Sequence, residues 1–375
     1  MFDSQQGRVR LQEHFQKLTD PRRGKVTHPL INIITIAVCA VIGGADDFVG
    51  IADFGESKKE WFGRFLDLTN GIPSHDRFNQ VLAAIKPEEF AECLLSWIAA
   101  LREVSGGEIL AIDGKTLRRS FDQASGKAAL QMVSAWSSAN HLSLGQVVVD
   151  DKSSEIAAIP KLLEMLELSG CLVTIDAAGC QVEIARQIVE RGADYVLAVK
   201  GNQPTLHNGV IDFFAEYVAA PESAQGRAYY HTSEKAHGRA TERDCFVAAV
   251  PDDLPDRSRW PGLCAVGLTV NCTVRDGKES MEGRYYILSR KLTAKQFAEA
   301  VRGHWSIENS LHWQLDVTFG EDQCRLRQGH ADFSLLRRHA LNLLKAERTA
   351  KCGVKNKRLS AGWNETYLLK VLLGS

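Results

Sequence analysis

The nine cysteines of this 375-residue chain stand singly, with no CxxC pair among them. That excludes a zinc ribbon and a disulfide scaffold, and fits the reduced thiols of a cytosolic protein. There is no internal repeat, no low-complexity tract and no secretory signal. The most apolar stretch, "PLINIITIAVCAVIGGA" at residues 29–45, contains Asn32 and Thr35. It is short of the about 20 residues that a membrane span needs, so it predicts a buried helix and no membrane partner. Charge of one sign is also lacking: 45 Lys and Arg stand against 46 Asp and Glu, for a net charge of −1. Bulk charge by itself therefore argues against a general polyanion binder. What remains is an ordinary globular composition, 45% hydrophobic and 24% charged, long enough for two domains or one elaborated one.

The charge is unevenly spread. Residues 325–358 hold ten basic residues (Arg337, Arg338, Lys355 and Lys357 among them) and two acidic ones, Asp332 and Glu347. That segment carries +8 and leaves −9 for the rest of the chain. Such segregation predicts a surface that tracks phosphates.

Along the chain, residues 1–105 read as helices. In "GIPSHDRFNQVLAAI", Ser74 stands at an N-cap position and Phe78, Val81, Leu82 and Ile85 form an apolar stripe. After the "REVSGGE" boundary the rhythm changes. "EILAIDG", "LQMVSAWSS" and "LSLGQVVVDD" read as strands, with a turn at residues 139–141. A helix, the strand "CLVTIDAAG", a second helix and the strand "DYVLAVKGN" follow. The order β-β-β-α-β-α-β predicts an α/β fold. Three antiparallel strands come first, two parallel strands are reached across helices, and helices cover the faces. Residues 202–290 then read as a β-rich insertion, before the helical stretch "TAKQFAEAVRGHWSIENSLHWQLDV".

Asp113 is expected to end the first strand and Asp176 the fourth. If those strands are neighbours, both carboxylates meet at one sheet edge, where α/β folds build sites. Glu308, on the later helix, can supply a third. Clustered carboxylates repel unless cations lie among them, and all-oxygen ligation suits Mg²⁺ or Mn²⁺. Two such ions about 4 Å apart serve phosphoryl transfer. Other arrangements stay open. Asp316, Glu321 or Asp322 can replace Glu308, and His304, Glu308 and His312, four residues apart, are tolerable for zinc. Trp305 and Trp313 read as core before base-stacking.

The segments "AIDGKTLRRS", "TIDAAGCQ", "AVKGNQP" and "RGHWSIENSLHWQLDVTFGEDQ" resemble the signatures of DDE-type transposases of bacterial insertion sequences, in the H-repeat-associated branch. "DPRRGKVTHPL", "GADDFVGIADFGESKKEW" and "GIPSHDRF" resemble the associated amino-terminal domain of that branch. The resemblance covers nearly the whole chain. It implies an RNase H-like mixed sheet flanked by helices, with a β-rich insertion before the last catalytic helix and an amino-terminal helical domain at 1–105. The catalytic domain would then span 106–350, with a basic tail at 351–375. Asp113, Asp176 and Glu308 would be the catalytic carboxylates and would hold two Mg²⁺ or Mn²⁺. The wider family often carries Tyr, Arg and Lys around its Glu. Here those positions are Val301, His304 and Leu315.

The implied activity is DNA transposition, in which element ends are bound, phosphodiesters hydrolysed and strands transferred to target DNA. A stand-alone nuclease and a catalytically silent DNA-binding descendant are the alternatives. The expected DNA contacts are Lys115, Arg118, Arg119, Lys200, His304, Trp305, His312, Arg337, Arg338, Lys355 and Lys357. The expected partners are double-stranded DNA and further copies of the chain, as a homodimer or larger oligomer, in the cytoplasm or on the nucleoid.

Overall fold

A computed structural model describes residues 12–100, 107–117, 131–149, 155–219, 228–236, 239–275, 277–324 and 330–373. The amino-terminal part is helical: α1 (Leu30–Ile42), α2 (Phe48–Ser57), α3 (Lys59–Phe62), α4 (His75–Leu82) and α5 (Pro87–Ala99). The sequence of α1 is apolar all round, and a helix of that kind must be enclosed. Every residue from 32 to 42 is buried. Its one side-chain amide, Asn32, donates to the Asp67 carbonyl at 2.7 Å. Among the described residues no helix is long and apolar enough to cross a membrane. Ser74 caps α4 by accepting from the Arg77 amide, and Phe78, Val81, Leu82 and Ile85 are buried beneath it.

The central element is one nine-stranded sheet in the order β3-β2-β1-β4-β5-β9-β8-β7-β6. β1 (Ile109–Thr116), β2 (Gln131–Ser137) and β3 (Leu142–Val149) form an antiparallel meander. β4 (Leu172–Ile175) lies parallel to β1, and β5 (Asp194–Val199) lies parallel to β4. The helices α6 (Glu155–Glu164) and α7 (Val182–Glu190) provide the crossovers. α8 (Pro204–Ala219) and four long strands follow: β6 (Ala228–Ala236), β7 (Arg239–Ala249), β8 (Ala265–Arg275) and β9 (Lys278–Leu288). These strands do not form a separate sheet. β9 pairs antiparallel with β5, so the inserted meander continues the central sheet and covers what would otherwise be an open edge.

α6, α7 and α8 pack on one face of the sheet through Ile159, Leu162, Leu163, Ile184, Ile188 and Phe214. On the other face lies α9 (Ala294–Ile307). It continues through a π-helical turn (Glu308–His312) into α10 (Trp313–Val317). α11 (His330–Ala346), α12 (Val354–Trp363) and α13 (Glu365–Leu373) close the chain. The expectation of a basic tail at 351–375, apart from the folded domains, is corrected here. Leu368, Val371 and Leu372 of α13 and Ala361 of α12 share one buried core with α1, α4 and α11. "ETYLLKVLL" has too many apolar side chains at helical spacing to be left in water.

Candidate active site

Pairing between β1 and β4 ends at Ile112↔Ile175. The next residue on each strand is a carboxylate, so Asp113 and Asp176 stand beside each other where the parallel ladder stops. β4 ends there, as expected. β1 does not: it runs on to Thr116 because β2 continues to pair with it, Asp113 against Ser134 and Lys115 against Met132. Asp113 is therefore held inside a strand, whereas Asp176 opens a turn. The Asp176 Oδ1 accepts from the Ala178 amide at 3.1 Å and the Gly179 amide at 3.4 Å, which fixes its direction.

Alternation along β1 sends Ala111, Asp113 and Lys115 to the α9 face and Ile112 and Gly114 to the α6 face. Gly114 meets Glu155, the first residue of α6. A Cβ at 114 would lie 2.4 Å from the Glu155 carboxyl carbon. The sequence reading missed Glu155. The signal available was an acid in the first turn of the helix after β3, opposite the one glycine of "IDGK".

On the other face, a capping box starts α9: Thr293 Oγ1 accepts from the Gln296 amide, and Gln296 Oε1 from the Thr293 amide. Gly303 lets the helix lie close to Ile109 of β1. Ile307, Leu311 and Leu315 are fully buried and hold the helix on the sheet. Glu308 is left with its side chain 56% exposed. The turn it opens is π-helical, a form that occurs mostly as single turns and often at functional sites.

His312 Nδ1 lies 3.5 Å from Asp113 Oδ2 and 3.6 Å from Glu308 Oε2. One ligand atom from each of Asp113, Glu308 and His312 falls within 4.8 Å of the others. Burial drives the His312 pKa down to about 3, aided by the charges of Arg338 and Lys115, so the ring is neutral. Burial, then the charges of Glu308, Asp176 and Glu155, push Asp113 up to about 7. Burial and Asp176 likewise raise Glu155. So much negative charge in a half-buried notch is what a divalent cation relieves, and the carboxylate oxygens are donors suited to hard Mg²⁺ or Mn²⁺.

The other sequence-predicted residues divide into two groups. His304 lies at the inner wall of the site. It is 8% exposed, its Nδ1 is 3.2 Å from Thr174 Oγ1, and burial lowers its pKa. It turns towards β4 while His312 turns towards β1, so no zinc set of His304, Glu308 and His312 is formed. Lys115 is buried and bonds the carboxylates of Asp316 and Glu321. That pairing also removes those two acids from contention as the third carboxylate. Arg338 is buried against Glu321 at 2.9 Å. Arg337 is buried, donating to the Asp46 carbonyl and stacking on Phe333. Lys357 is buried against the Leu344 and Glu347 carbonyls. Arg337, Arg338 and Lys357 do not face solvent as the charge count predicted. Of the carboxylates that pair with them, Glu321 lies outside the counted segment and Glu347 inside it.

Lys355 is exposed. Lys200, also exposed, lines a cavity of about 250 Å³ beside Asp176 together with Arg284, Tyr286 and Trp305. Trp305 is 43% exposed with Arg284 stacked 4.5 Å from its ring, and Trp313 is 53% exposed, so neither is core. Arg118 and Arg119 lie outside the described residues.

The family model described as "Transposase DDE domain" matches residues 104–344, and the one described as "DDE_Tnp_1-associated" matches residues 12–98. Over 375 residues, 98% of each chain, the sequence is 40% identical to the "H repeat-associated putative transposase YhhI" of Escherichia coli (strain K12). It is 42% identical over 357 residues to the "Putative transposase YncI" of Escherichia coli O157:H7, covering 94% of this chain and 91% of that one. A cryo-EM structure of the piggyBac transposase synaptic complex with hairpin DNA aligns with a TM-score of 0.43 at 9% identity, over 98% of this chain and 80% of that chain, a likeness too distant to bear on the site. With the domain matched from before β1 to within α11, and relatives alike along nearly the full length, the chain belongs to the family of transposases with a DDE domain, in its H repeat-associated branch.

Proposed function

We propose that the chain is an active DNA transposase whose catalytic carboxylates are Asp113, Asp176 and Glu308. The observation that carries this reading is the meeting of Asp113 and Asp176 at the end of the β1–β4 ladder, with Glu308 and Asp113 both against His312. The strand order β3-β2-β1-β4-β5, antiparallel then parallel, supports an RNase H-like core within the larger sheet. The carboxylates would hold two Mg²⁺ or Mn²⁺ ions. When bound, these supply activation of a water or 3′-hydroxyl and charge stabilisation at the scissile phosphate.

The protein's own residues do the rest. The backbone amides after Asp176 hold its carboxylate in one direction. The neutral His312 stands between Asp113 and Glu308 without adding a competing charge. The exposed Lys200 offers a cation beside Asp176 for the flanking DNA backbone, and Trp305 with Arg284 borders the same cavity. The chain would work on double-stranded DNA as a dimer or larger oligomer, in the cytoplasm where that DNA lies. Helices 1–105 would contribute DNA contacts.

The test is a strand-transfer assay on a plasmid bearing the DNA that flanks the gene, with and without Mg²⁺. Wild-type protein should cleave and join only with the metal, and Asp176→Ala should do neither while still binding the DNA. Near-normal Mg²⁺-dependent cleavage by Asp176→Ala refutes the assignment.

A further inference from the structure

We propose that Lys115 is a positioning residue: it ties the helix that carries Glu308 to the strand that carries Asp113, and so sets how far apart these carboxylates stand. The inference rests on the proposed role of Asp113 and Glu308 and extends it to a residue outside the cluster.

Two rungs join strand and helix. Asp113 and Lys115 are two apart on β1 and project from the same face, about 6.6 Å apart along the strand. Their partners His312 and Asp316 are four apart on the helix, about 6 Å along its axis. The two spacings agree to within about 1 Å, so both rungs close at once. The first rung is weak, a neutral imidazole 3.5 Å from the Asp113 carboxylate. The second is charged and enclosed. Lys115, its side chain 8% exposed, bonds the Asp316 carboxylate and reaches Glu321 Oε2 at 3.0 Å. Glu321 is fully buried and is itself fixed by Arg338 at 2.9 Å and the Ser334 hydroxyl at 2.6 Å. The lysine is thus anchored to α11 as well.

The clamp matters because of where the π turn falls. That turn spans Glu308–His312, between the straight helix α9 and the Asp316 rung. A π turn changes the phase of the helix beyond it, and a hold just past the turn fixes that phase. Among the described residues, Glu308 has no comparable tether. Its side chain is 56% exposed, and the polar group beside it is His312 at 3.6 Å. The same geometry argues against a phosphate contact for Lys115, because its amine would have to leave a buried carboxylate to reach solvent.

The experiment compares wild type, Lys115→Met, Lys115→Met/Asp316→Asn and Lys115→Arg. The double variant removes both charges of the rung and leaves Glu321 paired with Arg338, so the fold is kept. Hydrogen exchange on peptides covering 304–316 should quicken at least about tenfold in the double variant, while α1 is unchanged. Calorimetric Mn²⁺ affinity should fall about 10- to 100-fold. Cleavage of the flanking-DNA plasmid should slow on the order of 100-fold, with its Kd within about twofold of wild type, the scatter of such a measurement. Lys115→Arg should recover most of the loss.

Unchanged exchange together with unchanged Mn²⁺ affinity overturns the inference. So does a loss confined to DNA Kd, which would make Lys115 a phosphate contact. Exchange that quickens equally in α1 also overturns it, by making Lys115 a general structural prop. Wild-type protein that neither binds Mn²⁺ nor cleaves overturns the proposed function instead, and the exchange comparison still decides whether Lys115 holds the helix.

Discussion

Asp113 and Asp332 carry the same group, and burial is the first cause that pushes each up to about 7, yet they differ in company. Asp113 faces Glu308, Asp176 and His312, a donor set with a use. Asp332, 4% exposed in the first turn of α11, has an Oδ1 with no partner among the described residues and a second acid, Glu88, nearby. Its folded pKa lies above its ordinary value of 3.8, so the folded state keeps the proton longer. Stability then falls as pH rises from about 4 to about 7, and the full penalty is present above that. At 1.36 kcal/mol per unit, roughly three units correspond to about 4 kcal/mol. Asp332→Asn should therefore raise stability by about 1–3 kcal/mol at pH 8 and hardly at all at pH 4, read from urea unfolding at the two pH values. A gain of equal size at pH 4 would show that the carboxylate's charge is not the cause.

At the scale of elements, the succession of strands and helices along the chain and the strand directions were legible. Three strands joined by short turns pair antiparallel, and strands reached across helices pair parallel. Which strand β4 joins does not follow from those directions, so the meeting of Asp113 and Asp176 was conditional in the sequence and rests on β4 pairing with β1. The Ser74 cap and the enclosure of α1 were legible for equally local reasons. The π turn was not, because side chains four apart stack under either helical pitch. The buried cations were not legible either. A count over residues 325–358 cannot see Asp46 or Glu321, which neutralise Arg358 and Arg338 from outside that segment.

Glu321 shows how strong that neutralisation is. Burial alone would raise its pKa, but Arg338, Lys115 and the Ser334 hydroxyl outweigh burial and hold it at about 2. Glu321→Ala would strand the buried Arg338 and leave Lys115 with Asp316 alone, and should cost about 3–5 kcal/mol. A denaturation midpoint close to wild type would show that water reaches them.

At the scale of the molecule, the two ends of the chain share a core. Arg358 on α12 reaches the Val41 and Ala45 carbonyls and the Asp46 carboxylate, beside α1. Removing residues 354–373 should therefore abolish cooperative unfolding, whereas a solvated tail would be lost without effect. Circular dichroism melting distinguishes the two. The nine-stranded sheet gives the carboxylates a rigid base, and the helix laid across it brings the third. The account stands on that meeting. Its most direct test is Mn²⁺ titration and plasmid cleavage by Glu308→Gln, with Lys115 and Asp316 intact. The account predicts that cleavage is lost outright and Mn²⁺ affinity falls, with DNA binding and melting temperature as in wild type. Normal metal-dependent cleavage by Glu308→Gln would contradict it.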